Sequence, residues 1–496
     1  MNHRTVRKTI CLFLALFSVF GSFRHSVSAN AESRAMLDTG AAVNAKMKSL
    51  AAGENTDAWT ATGDIRAVRM AESLPDSFVP SEANTVSSAD SGIPIYIFFD
   101  NEDGAGIMYF YTESGTAAMN PDSGYMFFNN TSLTDISGLA GWDSSGVVSL
   151  QGAFMHDSSL ADITPLSDWD TGSLAYAGML FSYDTALTDI TALAGWNTSG
   201  VTDLYALFGG AKSLKDALAL RNWDTSNVTD MSCMFSGCTS LLFADVSGWN
   251  TGKVTTMASM FQVGDSWEAN GQLIEIIGLG DLDVSNVTDM TCMFYGAGQM
   301  TTYDIGRWNV SRVESMNHMF CDNRKLRSLD LSDWDVSSLR TVYCMFDDNV
   351  KLKTIGDVSH WNTVSLIDAG GWLNEASSFT GDNTGMLDLS GWDTRNLKAA
   401  GEMFLHTGLH TIDLSGWTFD SITNGLWEGA GSGIYYETGN KYEPLKGMGS
   451  MFRNSTKLTA VFLSQAGLDS YNTAAENGVN TLDMWSGSKT DGFTVR

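Results

Sequence analysis

The sequence predicts an α/β fold, a parallel solenoid of about eleven repeats of 25–27 residues with an N-terminal β-hairpin cap. Three observations predict this fold: a tryptophan that recurs at nearly fixed spacing, apolar columns at constant distances from it, and a β-rich segment of different pattern ahead of the repeats. A fixed period of roughly 20–50 residues is typical of units that cannot bury their apolar face alone and therefore stack on their neighbours.

The recurring tryptophan, which we call the anchor, lies in the stretch W-D-T-S-N-V-T-D-M-S-C-M-F of residues 223–235 and in its counterparts. Anchors stand at positions 142, 169, 196, 223, 249, 308, 334, 361, 392 and 417, and Leu282 takes the place once. The steps are 25 to 27 residues, except for those from 249 to 282 and from 361 to 392.

Further columns keep register with the anchor. Aliphatic side chains stand three residues before it and five after it in every copy, and phenylalanine stands twelve after it from Phe154 to Phe404, with Leu373 as one exception. A single repeat cannot bury these groups, but stacked repeats can place each column in one shared core. We therefore predict that the indole and phenyl rings of successive repeats pile up in register.

Local patterns predict the path of each repeat. Leu326 to Leu331 has the L-x-x-L-x-L form of a leucine-rich-repeat strand, which makes the predicted solenoid leucine-rich-repeat-like. The offsets of Met231, Met234 and Phe235 from the anchor (8, 11 and 12 residues) match one face of a helical turn. Each repeat is thus predicted as a strand, a turn at the tryptophan, and a short helix or 3₁₀ turn.

The chain divides into five predicted segments. Residues 1–31 have the charged start, short apolar run and A-x-A site of a signal peptide, and 32–62 form a linker with a short helix around 42–50. Residues 63–125 form the β-rich cap, in which the runs 93–99 and 107–111 make the hairpin. The solenoid spans 126–460, and 461–496 cap its far end.

The net charge and the predicted signal peptide limit the classes of partner that we expect. The net charge of −28 argues against nucleic acid and anionic membrane as partners. After signal removal no stretch is apolar enough to span a bilayer, so we expect a secreted or extracellular protein, with surface association through an unidentified anchor left open. The five mature cysteines have no metal-binding spacing, and a Cys321–Cys344 disulfide between neighbouring repeats stays possible.

Acidic columns suggest two alternatives. Asp or Asn follows every anchor up to residue 392, and five successive copies carry Asp four residues before the anchor. Such side chains can accept N–H groups of their own turn, an Asx turn, which Asn serves equally well. The alternative is a calcium ladder, which we consider the weaker interpretation because the glycine-rich calcium repeat is missing. We predict no catalytic residues, no cofactor and no metal site, so the protein is not expected to be an enzyme.

The repeat units carry a family resemblance. The sequences L-D-L-S-D-W-D-V-S-S-L (329–339) and W-D-T-S-N-V-T-D-M-S-C-M-F-S-G-C (223–238) resemble the repeat of BspA-like leucine-rich-repeat bacterial surface proteins. Residues 91–113 resemble the module that precedes the repeats in some members. The resemblance implies an exported solenoid that adheres to host matrix proteins, to other cells or to their glycans, and it implies no fixed binding residues.

Two insertions interrupt the repeats, at residues 262–279 and 428–448. Insertions in solenoids map to loops on one face, which is often the binding face. The predicted binding residues are therefore the large side chains in these loops: Trp267, Glu268, Tyr435, Tyr436 and Tyr442. The leading prediction is an adhesin or macromolecule-binding surface protein; a self-associating matrix protein and a concealed hydrolase are the alternatives.

Overall fold

A computed structural model describes residues 34–264, 271–424, 447–490 and 492–496. It has few helices and several short, mostly parallel strands. The helices and strands are α1 (Gly40–Ala52), β1 (Ala67–Met70), β2 (Tyr96–Asp100), β3 (Ile107–Tyr111), β4 (Asp216–Ala217), β5 (Phe243–Asp245), β6 (Glu275–Ile277), β7 (Met386–Asp388), β8 (Thr411–Asp413), β9 (Ala460–Leu463), α2 (Gln465–Glu476) and β10 (Thr494–Val495).

Successive repeats are joined by a ladder of parallel β-bridges, one rung per repeat. The bridged residues stand seven residues after the anchor in the regular copies. They run in the order Asp122, Ser149, Tyr176, Asp203, Asp230, Thr256, Asp289, Ser315, Thr341, Asp368, Ala399 and Gly447. Strands β4, β5 and β6 pair in the same parallel sense, as do β7, β8, β9 and β10, so the predicted parallel pairing is confirmed.

Phenyl rings stack along the inside of this ladder. The ring of Phe235 lies 5.8 Å from that of Phe208 and 5.4 Å from that of Phe261, with planes 11° and 14° apart. All three side chains have no exposed surface. The same geometry recurs along the column, and the anchors Trp392 and Trp417 stack similarly at 6.2 Å. One continuous core therefore runs through the described repeats.

From Trp169 to Trp417, the indole N–H of every tryptophan anchor donates to a backbone carbonyl of the preceding repeat. The Nε1–H of Trp223 donates to the carbonyl oxygen of Leu193 at 2.9 Å, and that of Trp249 donates to Leu220 at 2.9 Å. In both cases the acceptor is the aliphatic residue three positions before the previous anchor. A buried indole needs such a partner, so the anchor both fills the core and links repeats. Leu282 fills the same space without a donor, and the column of indole bonds skips that rung.

The segment before the anchor changes along the chain. Early copies, which are a residue or two longer, form short 3₁₀ helices at Ser137–Leu139, Thr164–Leu166, Thr191–Leu193 and Leu218–Leu220. Later, tighter copies have no room for this extra turn and form strands such as β7 and β8. The 3₁₀ turns thus precede the anchor rather than follow it.

The predicted helix after the anchor is wrong. The segment that contains Met231, Met234 and Phe235 consists of consecutive turns, and Cys233 within it has a φ of 57°. A left-handed residue cannot continue a right-handed helix. The three side chains do share the buried face, as their spacing predicted, but the backbone reaches that arrangement by turns.

Additional elements cover both ends of the stack. Strands β2 and β3 form the predicted antiparallel hairpin, and β1 pairs with β3 in parallel. Residue Ala67 of β1 bridges Asp135 and so adds a rung ahead of the first repeats. At the other end the carbonyls of Asn480 and Leu482 accept N–H groups from Met448 and Ser450, so the stack continues beyond the predicted boundary at 460.

Candidate functional site: the ladder face

The segment after each anchor builds one long face of the stack. We call it the ladder face and define it as the positions 7, 9, 10, 13 and 14 residues after the anchor. Alternate N–H groups of this segment donate to carbonyls of the next repeat, as from Met231 to Thr256 (3.2 Å) and from Cys233 to Ala258 (2.8 Å). These bonds fix the side chains of neighbouring repeats in register, so every rung presents the same positions.

Two columns of the ladder face have left-handed backbone. At position 10 the non-glycine residues with positive φ are Met179, Ala206, Cys233, Ser259, Cys292, His318, Cys344 and Glu402. At position 14 they are His156, Tyr183, Asp322, Asp348, Glu375 and His406, with Gly210, Gly237 and Gly296 in other copies. The left-handed conformation costs about 1–2 kcal/mol for a residue with a side chain. The hydrogen bonds between repeats offset this cost.

Gly210 provides a test of this geometry. It has a φ of 76°, and a Cβ there would lie 2.7 Å from Cδ1 of the Tyr183 ring; at Gly237, with a φ of 72°, the nearest atom would be 3.5 Å away. We expect Gly237→Ala to lower the free energy of unfolding by about 1 kcal/mol. Gly210→Ala should lower it by about 2 kcal/mol or more, since the tyrosine ring must also move. Urea denaturation compares the two; equal losses would contradict the packing of Tyr183 over Gly210.

Aromatic rings form a row across the first rungs of the ladder face. This aromatic row consists of Trp59, Tyr125, Phe128, His156 and Tyr183. Trp59 lies 5.1 Å from Tyr125 and 5.6 Å from Phe128 between ring centroids, both edge-to-face. Phe128 contacts His156 at 6.1 Å, and His156 stacks on Tyr183 at 4.5 Å with planes 1° apart. Trp59 is 56% exposed, and the other four rings are half-buried.

The row rests on an apolar floor separate from the main core. Met155, Met179 and Ala206 are buried and contact one another, and Tyr205 and Cys233 pack against them at one end. Because this cluster lies on the ladder face, it is not part of the stack of phenyl rings inside. The row therefore has its own apolar support.

Carboxylates accompany the ring positions. At position 7, Oδ1 accepts the N–H two residues later: Asp122 from Gly124, Asp203 from Tyr205, Asp230 from Ser232, Asp289 from Thr291 and Asp368 from Gly370. Burial raises the pKa of Asp203, and the charge of Asp230 one rung away raises it further. The ladder face thus combines regularly spaced carboxylates with aromatic rings.

The acidic columns beside the anchor form Asx turns, as predicted. Asp224 Oδ1 accepts the N–H of Ser226 at 2.9 Å, and Asn197 Oδ1 accepts that of Ser199 at 3.1 Å. The column four residues before the anchor behaves alike, as in Asp357. These bonds lower the pKa of Asp224 and Asp357. In the described ranges no three His, Cys, Asp or Glu side chains are grouped so that they could hold a metal ion.

A buried polar column stands fifteen residues after the anchor, inside the stack. Its side chains donate to the carbonyl of the phenylalanine one repeat earlier: Asn323 to Phe294 (2.8 Å), Asn349 to Phe320 (2.8 Å) and Cys238 to Phe208 (3.1 Å). The sequence columns did not indicate this role, because Asn, Cys, Asp, Ala and Thr all occur there.

Two aspartates occupy this column where other repeats carry a donor. Asp157 and Asp184 have no exposed surface, and their Oδ2 atoms have no hydrogen-bond partner. Their Oδ1 atoms accept the N–H groups of Asn130 and Asp157, respectively, at 2.8 Å. Burial raises the pKa of both carboxyls well above the usual range, and the charge of Asp184 raises that of Asp157 further.

Lys48 closes this column at the N-terminal end. Its side chain is fully buried, and Nζ donates to the carbonyls of Ala58, Thr60 and Phe128, each at 2.7 Å. Burial lowers the pKa of Lys48 to about 8, and the charge of Asp157 opposes this shift. Helix α1 is thereby tied to the aromatic row, since Phe128 belongs to both arrangements.

The C-terminal half of the ladder face has a different character. Cys292, Tyr295 and Cys321 form a small buried cluster, and His406 Nδ1 lies 2.6 Å from Glu375 Oε2. Cys321 and Cys344 are free thiols, so the disulfide left open by the sequence is not formed. Burial raises the pKa of both thiols well above the usual range, which makes them poor nucleophiles.

The predicted binding residues lie outside the described residues. This applies to all five: Trp267, Glu268, Tyr435, Tyr436 and Tyr442. Their role stays a prediction. The aromatic row was missed because no single offset carries an aromatic residue throughout the repeats; the available signal was the concentration of Tyr125, Phe128, His156, Tyr183 and Tyr205 in consecutive early copies.

The fold and the ladder face define a protein of stacked repeats with parallel pairing between neighbours. The chain belongs to the family described as "Mycoplasma protein of unknown function, DUF285", whose model matches residues 122–219, 185–276, 269–386 and 356–426. These matches together span residues 122–426, more than half of the 496 residues. No curated protein matches the chain.

A solved structure also matches part of the chain, the crystal structure of a TLR13–ssRNA13 complex. Its sequence is 13% identical, the match covers 70% of this chain and 51% of that chain, and the TM-score is 0.22. This chain thus spans about half the length of that structure. In the described part of the chain, no helix has the length and apolar character needed to cross a membrane.

Proposed function

We propose that the protein is an exported, BspA-like surface protein, a leucine-rich-repeat-like solenoid of about eleven repeats that adheres to proteins of host tissue or of other cells. The observation that carries the proposal is the ladder face, which repeats the same positions in register on twelve successive rungs. Regular hydrogen bonds hold this surface in a defined shape, so little conformational entropy is lost when a large partner binds.

The family match supports the interpretation of the chain as a repeat protein. The buried positions explain why the same residue types recur in every repeat. The anchor and phenylalanine columns are constant because these side chains fill the core. Recognition of a partner depends instead on surface positions, which vary from rung to rung. The secretory start of residues 1–31 supports export, and the net charge of −28 disfavours nucleic acid as a partner.

Binding to purified surface proteins tests the proposal. Immobilised mature protein is exposed to fibronectin, fibrinogen, laminin and whole bacteria, with serum albumin as the reference. We expect saturable binding of at least one of them, inhibited by soluble mature protein. Binding no greater than that to albumin throughout would contradict adhesion. Multi-angle light scattering addresses self-association: a concentration-dependent polymer would favour the matrix alternative.

A further inference from the structure

The aromatic row and the carboxylates beside it form a surface with two kinds of contact. Together with Tyr205, which packs on the apolar floor, its rings span four rungs, from Tyr125 and Phe128 through His156 and Tyr183. With rungs ~4.8 Å apart, the first and last are ~14 Å apart. An extended polypeptide rises ~3.3 Å per residue, so about four residues cover this distance.

Neighbouring groups cover the ring faces of Tyr125, His156 and Tyr183. His156 and Tyr183 cover each other's faces, with planes 1° apart. Next to Tyr183 on the following rung lies Gly210, whose absent Cβ leaves the space that the ring occupies, and Tyr125 lies over Gly152 in the same way. Stacking of a sugar ring requires an open aromatic face, so this arrangement disfavours a glycan. Ring edges carry partial positive charge and suit the carbonyl oxygens of a peptide backbone.

Acidic groups surround the row. Asp57 accepts the N–H of Trp59 at 3.0 Å. Burial raises the pKa of the Tyr125 hydroxyl, and the nearby charges of Asp122 and Asp203 raise it further. Asp230 follows on the next rung. Lys48, which lies 5.5 Å from the Phe128 ring, is buried and bonded to three carbonyls, so its charge is not presented to solvent. Asp57 and Asp122 are exposed and give this surface negative charge.

We infer that the aromatic row, flanked by Asp57, Asp122, Asp203 and Asp230, is a docking surface for an extended polypeptide segment rich in arginine and lysine. Arginine suits it best, because the guanidinium pairs with carboxylates in a planar fork and its stem packs on aromatic edges. The inference rests on the proposed function, since it names the class of partner segment for the same ladder face.

Binding of fluorescein-labelled nona-arginine to the mature protein, measured by fluorescence anisotropy, tests the inference. Nona-citrulline has nearly the same shape without the charge, and chitohexaose serves as the glycan. We expect saturable binding of nona-arginine, no binding of nona-citrulline and none of chitohexaose. Binding should weaken as salt rises, because the pairs are partly exposed.

Variants locate the site. Trp59→Ala and Asp203→Asn should each weaken nona-arginine binding about tenfold, as central contacts of an interface do. Asp203→Asn keeps the acceptor for the N–H of Tyr205. Asp335→Asn is the matched control: it removes a carboxylate that accepts the N–H of Ser337 at 3.0 Å in a distant repeat, and it should leave binding unchanged. Urea midpoints equal to wild type establish that each variant is folded, and Trp59→Phe replaces Trp59→Ala should the latter fail this criterion.

Several outcomes would overturn the inference. Equal losses in Asp203→Asn and Asp335→Asn would mean that the peptide senses only the overall charge. Equal binding of nona-citrulline, or chitohexaose binding that depends on Trp59, would assign the surface to another ligand class. Its failure is distinguishable from that of the proposed function: capture of fibronectin, fibrinogen, laminin or bacteria without peptide binding refutes only the inference, and peptide binding without any such capture refutes only adhesion.

Discussion

Phe235→Ala is expected to lower the free energy of unfolding by about 3–5 kcal/mol, as for large-to-small changes of buried aromatic residues. The ring is fully buried and stacked on Phe208 and Phe261, so its removal leaves a cavity bounded by two rings that hydrogen bonds between repeats hold in place. Stability in stacked repeats is approximately a sum of repeat and nearest-neighbour terms. The loss should therefore fall on two interfaces at once and broaden the urea transition.

Tyr176→Ala is the control for Phe235→Ala. Tyr176 is also aromatic and lies on a rung of the bridge ladder, but it is 38% exposed and outside the main core. Tyr176→Ala should lower the free energy of unfolding by about 1 kcal/mol or less. The loss for Phe235→Leu should lie between those of Tyr176→Ala and Phe235→Ala, because Leu373 occupies the equivalent position in one repeat of this chain. A loss below 1 kcal/mol for Phe235→Ala in urea denaturation followed by circular dichroism would contradict the stacked core.

Asp184→Asn is expected to stabilise the protein at pH 7.5 by about 1–3 kcal/mol, the cost of an unsatisfied buried polar group. Asp184 Oδ2 is buried without a partner, while Asn323 and Asn349 in the same column donate to a phenylalanine carbonyl. An asparagine at 184 would supply the equivalent donor toward Phe154. The effect of substitution is easier to interpret at Asp184 than at Asp157, because the charge of Lys48 favours the ionised form of Asp157.

The pH dependence of stability follows from the direction of this shift. Because the folded pKa of Asp184 is raised, the fold favours the protonated carboxyl, and its contribution is fully present below the unfolded pKa of about 3.9. As pH rises from there toward the folded pKa, stability falls by up to about 1.4 kcal/mol per pH unit for each such group. Asp184→Asn should remove the part of this fall in stability that is due to ionisation of Asp184.

Asp224→Asn should act in the opposite sense, because hydrogen bonds from Ser226 lower the pKa of Asp224. Its contribution is present above the unfolded pKa and is lost as pH falls. Urea denaturation of both variants between pH 2 and 8 measures the two slopes, that of Asp224 below about pH 4 and that of Asp184 above it. A decrease in stability of Asp184→Asn at pH 7.5, with an unchanged slope, would mean that Asp184 is charged and paired in the folded protein.

The buried columns were predictable from sequence because burial restricts residue type in every repeat. Trp223 and Phe235 recur at fixed offsets and do lie in one core, and the Asx turn at Asp224 follows from residue type alone. Backbone handedness was not predictable from apolar spacing, since Met231 and Phe235 share a face whether the chain between them is helical or turned. A signal was present at position 14, where glycine, asparagine, aspartate and histidine, which tolerate positive φ, prevail.

The side chains of the ladder face were less predictable, because they do not pack in the main core and burial there does not restrict their residue type in every repeat. Tyr125 and Tyr183 point outward from different offsets, and only the register of the stack brings them, through Phe128 and His156, into one row. The acceptor of the anchor indole N–H was not predictable either. It is a backbone carbonyl three residues before the previous anchor, as at Leu193, and any residue type provides a backbone carbonyl.

Cross-linking between rungs tests most directly whether each repeat adds one rung in parallel register. Ser149 and Tyr176 are bridged on adjacent rungs, whereas Ser149 and Asp203 are two rungs apart. Their Cα separations are therefore about 4.8 Å and about 9.6 Å, and a disulfide needs roughly 4.4–6.8 Å. We expect that Ser149→Cys with Tyr176→Cys forms a disulfide in a glutathione redox buffer, mapped by mass spectrometry of non-reduced peptides, and that Ser149→Cys with Asp203→Cys does not. Equal cross-linking of both pairs, or cross-linking of the distant pair alone, would contradict one rung per repeat in parallel register.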